Sequence, residues 1–268
     1  MLAPLYTSPD HVSATLQQQG QAVLSARGVA DQTGLALADL HALQPSWNDL
    51  PPDPHMKDGG RYRRRRHSCF VVHGASVELA PHRAHWQPLD YNALHGGMQR
   101  WFEPMHAATV ASPAWNALLA WLGAVCSAAR TNTATPASAS SALAPNSLAG
   151  SPNISPSAPD PWFLEAHQFR IDTTDGIGRP TPEGAHRDGV DFVAVFLVDR
   201  HHIKGGETRV FEAHGPHGQR FTLTEPWSLL LLDDARVIHE STPIQPVGAH
   251  AHRDTLVVTL RAGGFQGG

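Results

Sequence analysis

From residue 161 to its carboxyl end the chain is cut into short runs rich in β-branched and aromatic residues, each closed by Gly, Pro or Asp. His167 to Asp172, Phe192 to Val198, Thr208 to Phe211, Arg220 to Thr224, Ser228 to Leu232 and Thr255 to Leu260 are the clearest of them. No helical period separates one run from the next, which argues against a parallel sheet, because parallel strands need crossover connections. The pattern predicts antiparallel strands folded into a sandwich or barrel. Two earlier runs, Cys69 to His73 and Val77 to Leu79, can lengthen its sheets, giving a double-stranded β-helix, the cupin-like jelly roll.

The amino-terminal part has a different grammar. Ser8-Pro9-Asp10 resembles a helix start with proline in the first turn, and Val12, Leu16, Val23 and Leu24 then recur near helical period. Ser112-Pro113 precedes Trp115, Leu118, Leu119, Leu122 and Val125, whose spacing by three and four describes an amphipathic helix packed on something larger. Between residues 127 and 160 the composition collapses into Ala, Ser, Pro, Thr and Asn. Such a segment buries too little apolar area to offset its ordering entropy, so a flexible loop is expected there. The expected organisation is mainly β with flanking helices. A helical part contributing some strands to the barrel spans 1–126, the loop 127–160, and the β-helix core 161–268, together one structural domain.

Composition narrows the function. With 41% hydrophobic and 16% charged residues and a net charge of -4, the chain is globular and poorly suited to broad nucleic-acid binding. Two cysteines, Cys69 and Cys126, make neither a disulfide framework nor a Cys-rich zinc site, and suit a reducing compartment. The start of the chain lacks a basic stretch followed by an apolar run, and no segment is long enough to span a bilayer. A cytoplasmic protein with no membrane partner is expected, and both a monomer and a homodimer are compatible with the sequence. Histidine is the outlier at 18 residues. Most, among them His201, His202, His214, His217, His250 and His252, sit in polar, turn-rich stretches, so only spacing can identify a metal site.

Spacing does so in one place. His186-Arg187-Asp188 puts two ligand types two residues apart, on one face if the stretch is extended. A third ligand, His239, arrives after the apolar run Leu229 to Leu232 and the turn-like Asp233-Asp234. Two imidazoles and one carboxylate leave half of an octahedral metal's positions open, as in the facial triad of non-heme Fe(II) oxygenases. Arg253 follows at the entrance to the next strand, with Thr255 on the same face. An always-charged planar fork of donors suits the distal carboxylate of a dicarboxylic cosubstrate such as 2-oxoglutarate. A lone His-x-Asp is common on protein surfaces; the distal histidine and the arginine make the set specific.

Four stretches carry a resemblance. Glu183-Gly-Ala-His-Arg-Asp-Gly-Val-Asp-Phe-Val193, Ile203-Lys-Gly-Gly-Glu-Thr208, Leu231-Leu-Asp-Asp-Ala-Arg-Val-Ile-His239 and Arg253-Asp-Thr-Leu-Val-Val258 look like the bacterial 2-oxoglutarate/Fe(II)-dependent dioxygenase family that includes L-isoleucine hydroxylases. Upstream, Asp58-Gly-Gly-Arg-Tyr-Arg-Arg-Arg-Arg-His-Ser68, Tyr91-Asn92 and Gly96-Gly-Met-Gln-Arg-Trp-Phe-Glu-Pro104 also resemble it. The Ala/Ser/Pro segment departs from the pattern. The resemblance implies His186, Asp188 and His239 as ligands of Fe(II), Arg253 and Thr255 as partners of 2-oxoglutarate, and O2 as oxidant. It implies a free aliphatic L-amino acid as substrate, hydroxylated as 2-oxoglutarate is decarboxylated to succinate.

A zwitterionic substrate needs a cation and an anion. Among Arg61, Arg63, Arg64, Arg65 and Arg66, an extended stretch would turn Arg63 and Arg65 inward and leave the rest as a solvated basic edge. Gln168 and Arg170 are a second candidate pair, and Asp191 or Glu207 could take the ammonium. Gly205-Gly206 reads as a tight hairpin turn. Two other readings use the same ligands: a dioxygenase acting on a peptidyl or carrier-bound substrate, and a cupin-like, metal-dependent non-redox enzyme or binding protein. Arg253 separates the last from the others.

Overall fold

The computed structural model describes residues 1–92, 94–131 and 160–267. Its strands are β1 (Gln21–Leu24), β2 (Arg63–His73), β3 (Ser76–Leu79), β4 (Trp162–Asp172), β5 (Phe192–His201), β6 (Ile203–Gly205), β7 (Thr208–Glu212), β8 (Gly218–Phe221), β9 (Leu229–Asp233), β10 (Val237–Ser241), β11 (Ile244–Pro246) and β12 (His252–Ala262). The large sheet has the order β1-β9-β5-β12-β4-β2-β3, and the facing layer is made of β10-β7-β8 and β11-β6. Every ladder is antiparallel. This is the double-stranded β-helix that the sequence predicts.

Alternation along the strands makes the two cores. On β5, Val193 and Leu197 pack with Val210, Phe221 and Val237 of the facing layer, while Phe192, Ala194, Phe196 and Val198 point to the other side. That other side is covered by helices. The main one is α5 (Pro113–Thr131), following α1 (Val12–Gln19), α2 (Ala26–Thr33), α3 (Leu37–His41) and α4 (Ala107–Val110). The stripe Trp115, Leu118, Leu119, Leu122 and Val125 is buried against Phe70, Leu164 and Leu256 of the sheet. Trp47 and Trp227 meet edge to face at 6.1 Å inside this core, both fully buried. Truncating either would cost about 3–5 kcal/mol.

Three local expectations need correction. Val23 and Leu24 are not helical: α1 stops at Gly20, whose φ of 73° closes the last turn, and the next four residues pair with β9 as β1. Residues 127–131 continue α5, and residues 132–159 of the expected loop lie outside the described residues. Gly205-Gly206 is no hairpin, because β6 pairs with β11 whereas β7 pairs with β10. The two glycines, at φ 83° and 66°, instead carry the chain from one ladder to the next. No described helix is long and apolar enough to cross a membrane.

Candidate active site

Three neighbouring strands, β12, β4 and β2, present alternate residues to one cavity, and their registers align these residues in rows. Arg253, Ile171 and Arg63 form one row, Thr255, Phe169 and Arg65 the next, and Val257, His167 and His67 a third. All but His67 line the cavity, as do His186, Asp188 and His239.

His186 and Asp188 are not in a regular strand, as the alternation argument supposes. They lie in the extended segment before β5, where His186 makes one isolated antiparallel bridge to His239 of β10, with N···O distances of 3.0 and 2.9 Å. The segment is pinned by Asp234, which accepts the backbone N–H groups of Asp188 (2.9 Å), Gly189 (2.7 Å) and Val190 (3.1 Å). His186 Nδ1 donates to the Gly184 carbonyl at 2.9 Å, which leaves the Nε2 lone pair facing the cavity. Asp188 Oδ1 is 3.9 Å from His186 Nε2 and Asp188 Oδ2 is 3.8 Å from His239 Nε2. The three ligand atoms therefore converge on one point, all within 4.8 Å of one another. Burial, with His186 beside it, pulls the His239 pKa down to about 4, so it presents a neutral imidazole. Burial also works against a charge on His186, but the Asp188 and Glu183 carboxylates outweigh it and raise its pKa. Two imidazole nitrogens and a carboxylate oxygen form a donor set suited to Fe(II).

Arg253 is 4% exposed, and its Nε has no hydrogen-bond partner. Among the described residues no carboxylate pairs with it; burial and then the Arg200 charge pull its pKa to about 10, still charged at neutrality. A buried guanidinium without a counter-charge is costly unless a ligand supplies one. Thr255 lies on the same face of β12.

The other candidates divide. Arg63 and Arg65 do point inward, but both are committed: Arg63 Nε binds the fully buried Asp53 carboxylate at 2.7 Å, and Arg65 Nη1 lies 3.8 Å from the same oxygen. Arg65 also donates to His167 Nδ1 at 2.6 Å and stacks on Phe102 and Phe169. Gln168 and Arg170 fall on the opposite face of β4, where Gln168 donates to Ser46 and Arg170 to Asp254. Asp191 accepts the Ala262 backbone N–H at 2.8 Å, and Glu207 pairs with Arg209 at 3.0 Å; neither lines the cavity.

The sequence reading missed several lining residues. Gln87 donates to Asp188 Oδ1 at 3.0 Å, and its carbonyl oxygen accepts from Arg100 at 2.8 Å and Asn92 at 3.0 Å. These three come from the irregular stretch between β3 and α4, where no periodicity marks an inward residue. A buried cluster of His67, His85, Glu165 and His167 adjoins them. Glu165 accepts from His85 Nδ1 at 2.6 Å and His67 Nε2 at 3.0 Å. Its donors are neutral, since burial holds the His67 pKa to about 4 and lowers those of His85 and His167. The Arg65 guanidinium against His167 opposes a second cation, so this cluster is a wall of hydrogen bonds behind the cavity.

Comparison with known proteins agrees with this geometry. A family model described as 2OG-Fe dioxygenase matches residues 44–259. A bsmA homolog from Methylobium petroleophilum PM1 has a solved structure that is 47% identical, with a TM-score of 0.84 over 98% of this chain and 97% of that one. IDO from Bacillus thuringiensis shares the fold at 16% identity and a TM-score of 0.69, over 98% of this chain and all of that one (100%). The Fe(II)/α-ketoglutarate-dependent dioxygenase TqaL does so at 20% and 0.65, over 97% of this chain and 88% of that one. No curated protein matches. With the family model covering residues 44–259, well over half of the chain, the chain belongs to the 2OG-Fe dioxygenases, oxidoreductases that use Fe(II), 2-oxoglutarate and O2.

Proposed function

We propose that this enzyme hydroxylates a free aliphatic L-amino acid, that His186, Asp188 and His239 hold its Fe(II), and that Arg253 and Thr255 take the distal carboxylate of 2-oxoglutarate. The observation that carries the assignment is the buried Arg253, without a paired carboxylate among the described residues, lining the same cavity as a converging His, Asp and His. When bound, the iron with 2-oxoglutarate and O2 supplies the oxidising power, one oxygen atom going to a substrate C–H bond and the other to succinate as CO2 leaves.

The chain's own residues prepare that chemistry. Gly184 fixes the tautomer of His186, and Gln87 holds one oxygen of Asp188, leaving the ligands little freedom to reorient. Asp234 keeps the Asp188 backbone in place through three N–H bonds. Ile171, Val195 and Val257 supply apolar wall that excludes water beside the polar groups. Charged groups set well inside this cavity favour a small polar substrate with an ordered pose over a macromolecular one. The resemblance to free amino acid hydroxylases supports the same class.

The test is succinate formation in air with Fe(II) and 2-oxoglutarate against a panel of free L-amino acids. The reading expects succinate to rise with at least one aliphatic amino acid and to vanish in His186→Ala. Tight binding of iron and 2-oxoglutarate with no coupled turnover on any amino acid would instead favour a peptidyl or carrier-bound substrate.

A further inference from the structure

Arg100 and Glu183 face the same cavity as a cation and an anion that do not pair with each other. Arg100 is 2% exposed. The one hydrogen bond of its guanidinium among the described residues goes to a neutral amide, Gln87 Oε1 at 2.8 Å, and its Nε has no partner. Glu183 also lines the cavity, and its buried Oε2 has no partner, while its Oε1 is 3.6 Å from His186 Nε2. Arg100 has surrendered water without gaining a counter-charge in contact, and Glu183 Oε2 has done so without gaining a donor, states that are unfavourable unless a ligand completes them.

We propose that these two residues clamp the zwitterionic end of the substrate, the Arg100 guanidinium taking a free α-carboxylate and the Glu183 carboxylate taking the α-ammonium. The clamp rests on the amino acid reading given above, and it names groups that the reading leaves open. Arg63 and Arg65 are unsuited to this task because Asp53 already lies between them, and Arg65 is also held by His167 and two aromatic rings. Arg253 belongs to the row of Ile171 and Arg63 and pairs with no carboxylate among the described residues, as the cosubstrate role requires.

Charge balance points to the same ligand. Asp53 pairs with Arg63 and lies close to Arg65, and Glu165 is held by His85 and His67, so among the described residues on this side of the cavity Arg100 is left without a carboxylate in contact and Glu183 without a donor on its Oε2. A ligand that is neutral overall yet carries one charge of each sign fits that arrangement better than a dianion. Gln87 then sets the distance, since it binds Arg100 through its oxygen and Asp188 through its nitrogen. The anchor is thus two hydrogen bonds from a proposed metal ligand, which holds the substrate's α-carbon at a fixed place beside the iron. A peptidyl or carrier-bound amino acid lacks the free carboxylate and would leave Arg100 unpaired.

The experiment measures succinate release and, by calorimetry on the anaerobic Fe(II)/2-oxoglutarate protein, binding. The ligands are L-valine, L-leucine, L-isoleucine and L-methionine, each with its carboxamide and its deaminated acid. In the wild type both altered ligands should bind about 30-fold or more weakly than the amino acid, the cost of leaving one buried charge unpaired. Arg100→Gln should raise the amino acid KM by a similar factor and abolish its advantage over the carboxamide. Arg100→Lys should restore part of it, because the charge remains and the fork is lost. Glu183→Gln should abolish the advantage over the deaminated acid. Amino acid stimulation with an unchanged KM in Arg100→Gln overturns the clamp alone. No stimulation by any amino acid overturns both the clamp and the reading beneath it. Should Arg100→Gln fail to fold, equal wild-type binding of acid and carboxamide still overturns the proposal.

Discussion

Gln87 Nε2 donates to Asp188 Oδ1 at 3.0 Å, across more than a hundred residues of sequence. The bond orients the one carboxylate of the proposed iron site and leaves its second oxygen, 3.8 Å from His239 Nε2, to face the metal position. Groups that orient a metal ligand from behind typically contribute 10–100-fold to affinity. We therefore expect Gln87→Ala to weaken Fe(II) binding by about 10–100-fold without unfolding the protein. Competition with a calibrated chelator measures this, and wild-type affinity in the variant would remove Gln87 from the account.

Arg253 should show opposite effects on function and stability. Without a ligand its buried charge is uncompensated, so Arg253→Met should melt at or above the wild-type temperature. The same change should raise the Kd for 2-oxoglutarate by about 30-fold or more, because it leaves a bound carboxylate unpaired. Thermal melting without ligand and 2-oxoglutarate titration of the metal-loaded protein read the two effects separately. A variant that is less stable yet binds 2-oxoglutarate normally would make Arg253 a packing residue.

Much of this was legible in the sequence, and the reasons are physical. Strands announce themselves because consecutive residues of β5 must be apolar to bury both faces of the central sheet and alternate residues of β12 to bury its helix-covered face, and α5 does so through its three-and-four stripe. His186, Asp188, His239 and Arg253 stand out because few chemistries need that order of residue types. Gln168 and Arg170 were misread because alternation gives two faces without saying which is the inner one, and the inner face of β4 turned out to be His167, Phe169 and Ile171. Gln87 left no trace, since irregular backbone carries no period, and Asn92 and Arg100 lie in stretches that resemble the family without a period to mark them as inward-facing.

Acid should destabilise the fold through the His67, His85, His167 and Glu165 cluster. Burial pulls the His67 pKa to about 4 and lowers those of His85 and His167, so the folded state keeps these imidazoles neutral while the unfolded chain protonates them near its ordinary value of about 6.5. Below that pH the unfolded state binds more protons, and stability falls by about 1.4 kcal/mol per pH unit for each histidine in this condition. Burial works against an ionised Glu165, but His85 and His67 hold its pKa well below the carboxylate range, so its contribution is lost in the same direction as pH falls below about 4.3. The urea midpoint should decline from pH 7 to pH 4.5, less steeply in His67→Gln. A pH-independent midpoint would contradict the neutral cluster.

Gly205 should tolerate no side chain. Its φ of 83° is in the left-handed region, and a Cβ there would collide with the Pro243 carbonyl oxygen where the chain passes between ladders. Gly205→Ala should cost at least about 2 kcal/mol in urea unfolding, more than positive-φ strain alone, because backbone must move. A loss near zero would show that this corner can relax.

The central claim is that His186, Asp188 and His239 hold iron in reach of a 2-oxoglutarate anchored by Arg253. Anaerobic titration of the Fe(II)-loaded protein with 2-oxoglutarate, followed by the visible charge-transfer absorption of the chelate, tests it most directly. We expect saturable absorption in the wild type, none in Asp188→Ala, and saturation only at much higher concentration in Arg253→Met. Undiminished absorption in Asp188→Ala, or identical titrations for wild type and Arg253→Met, would contradict the assignment.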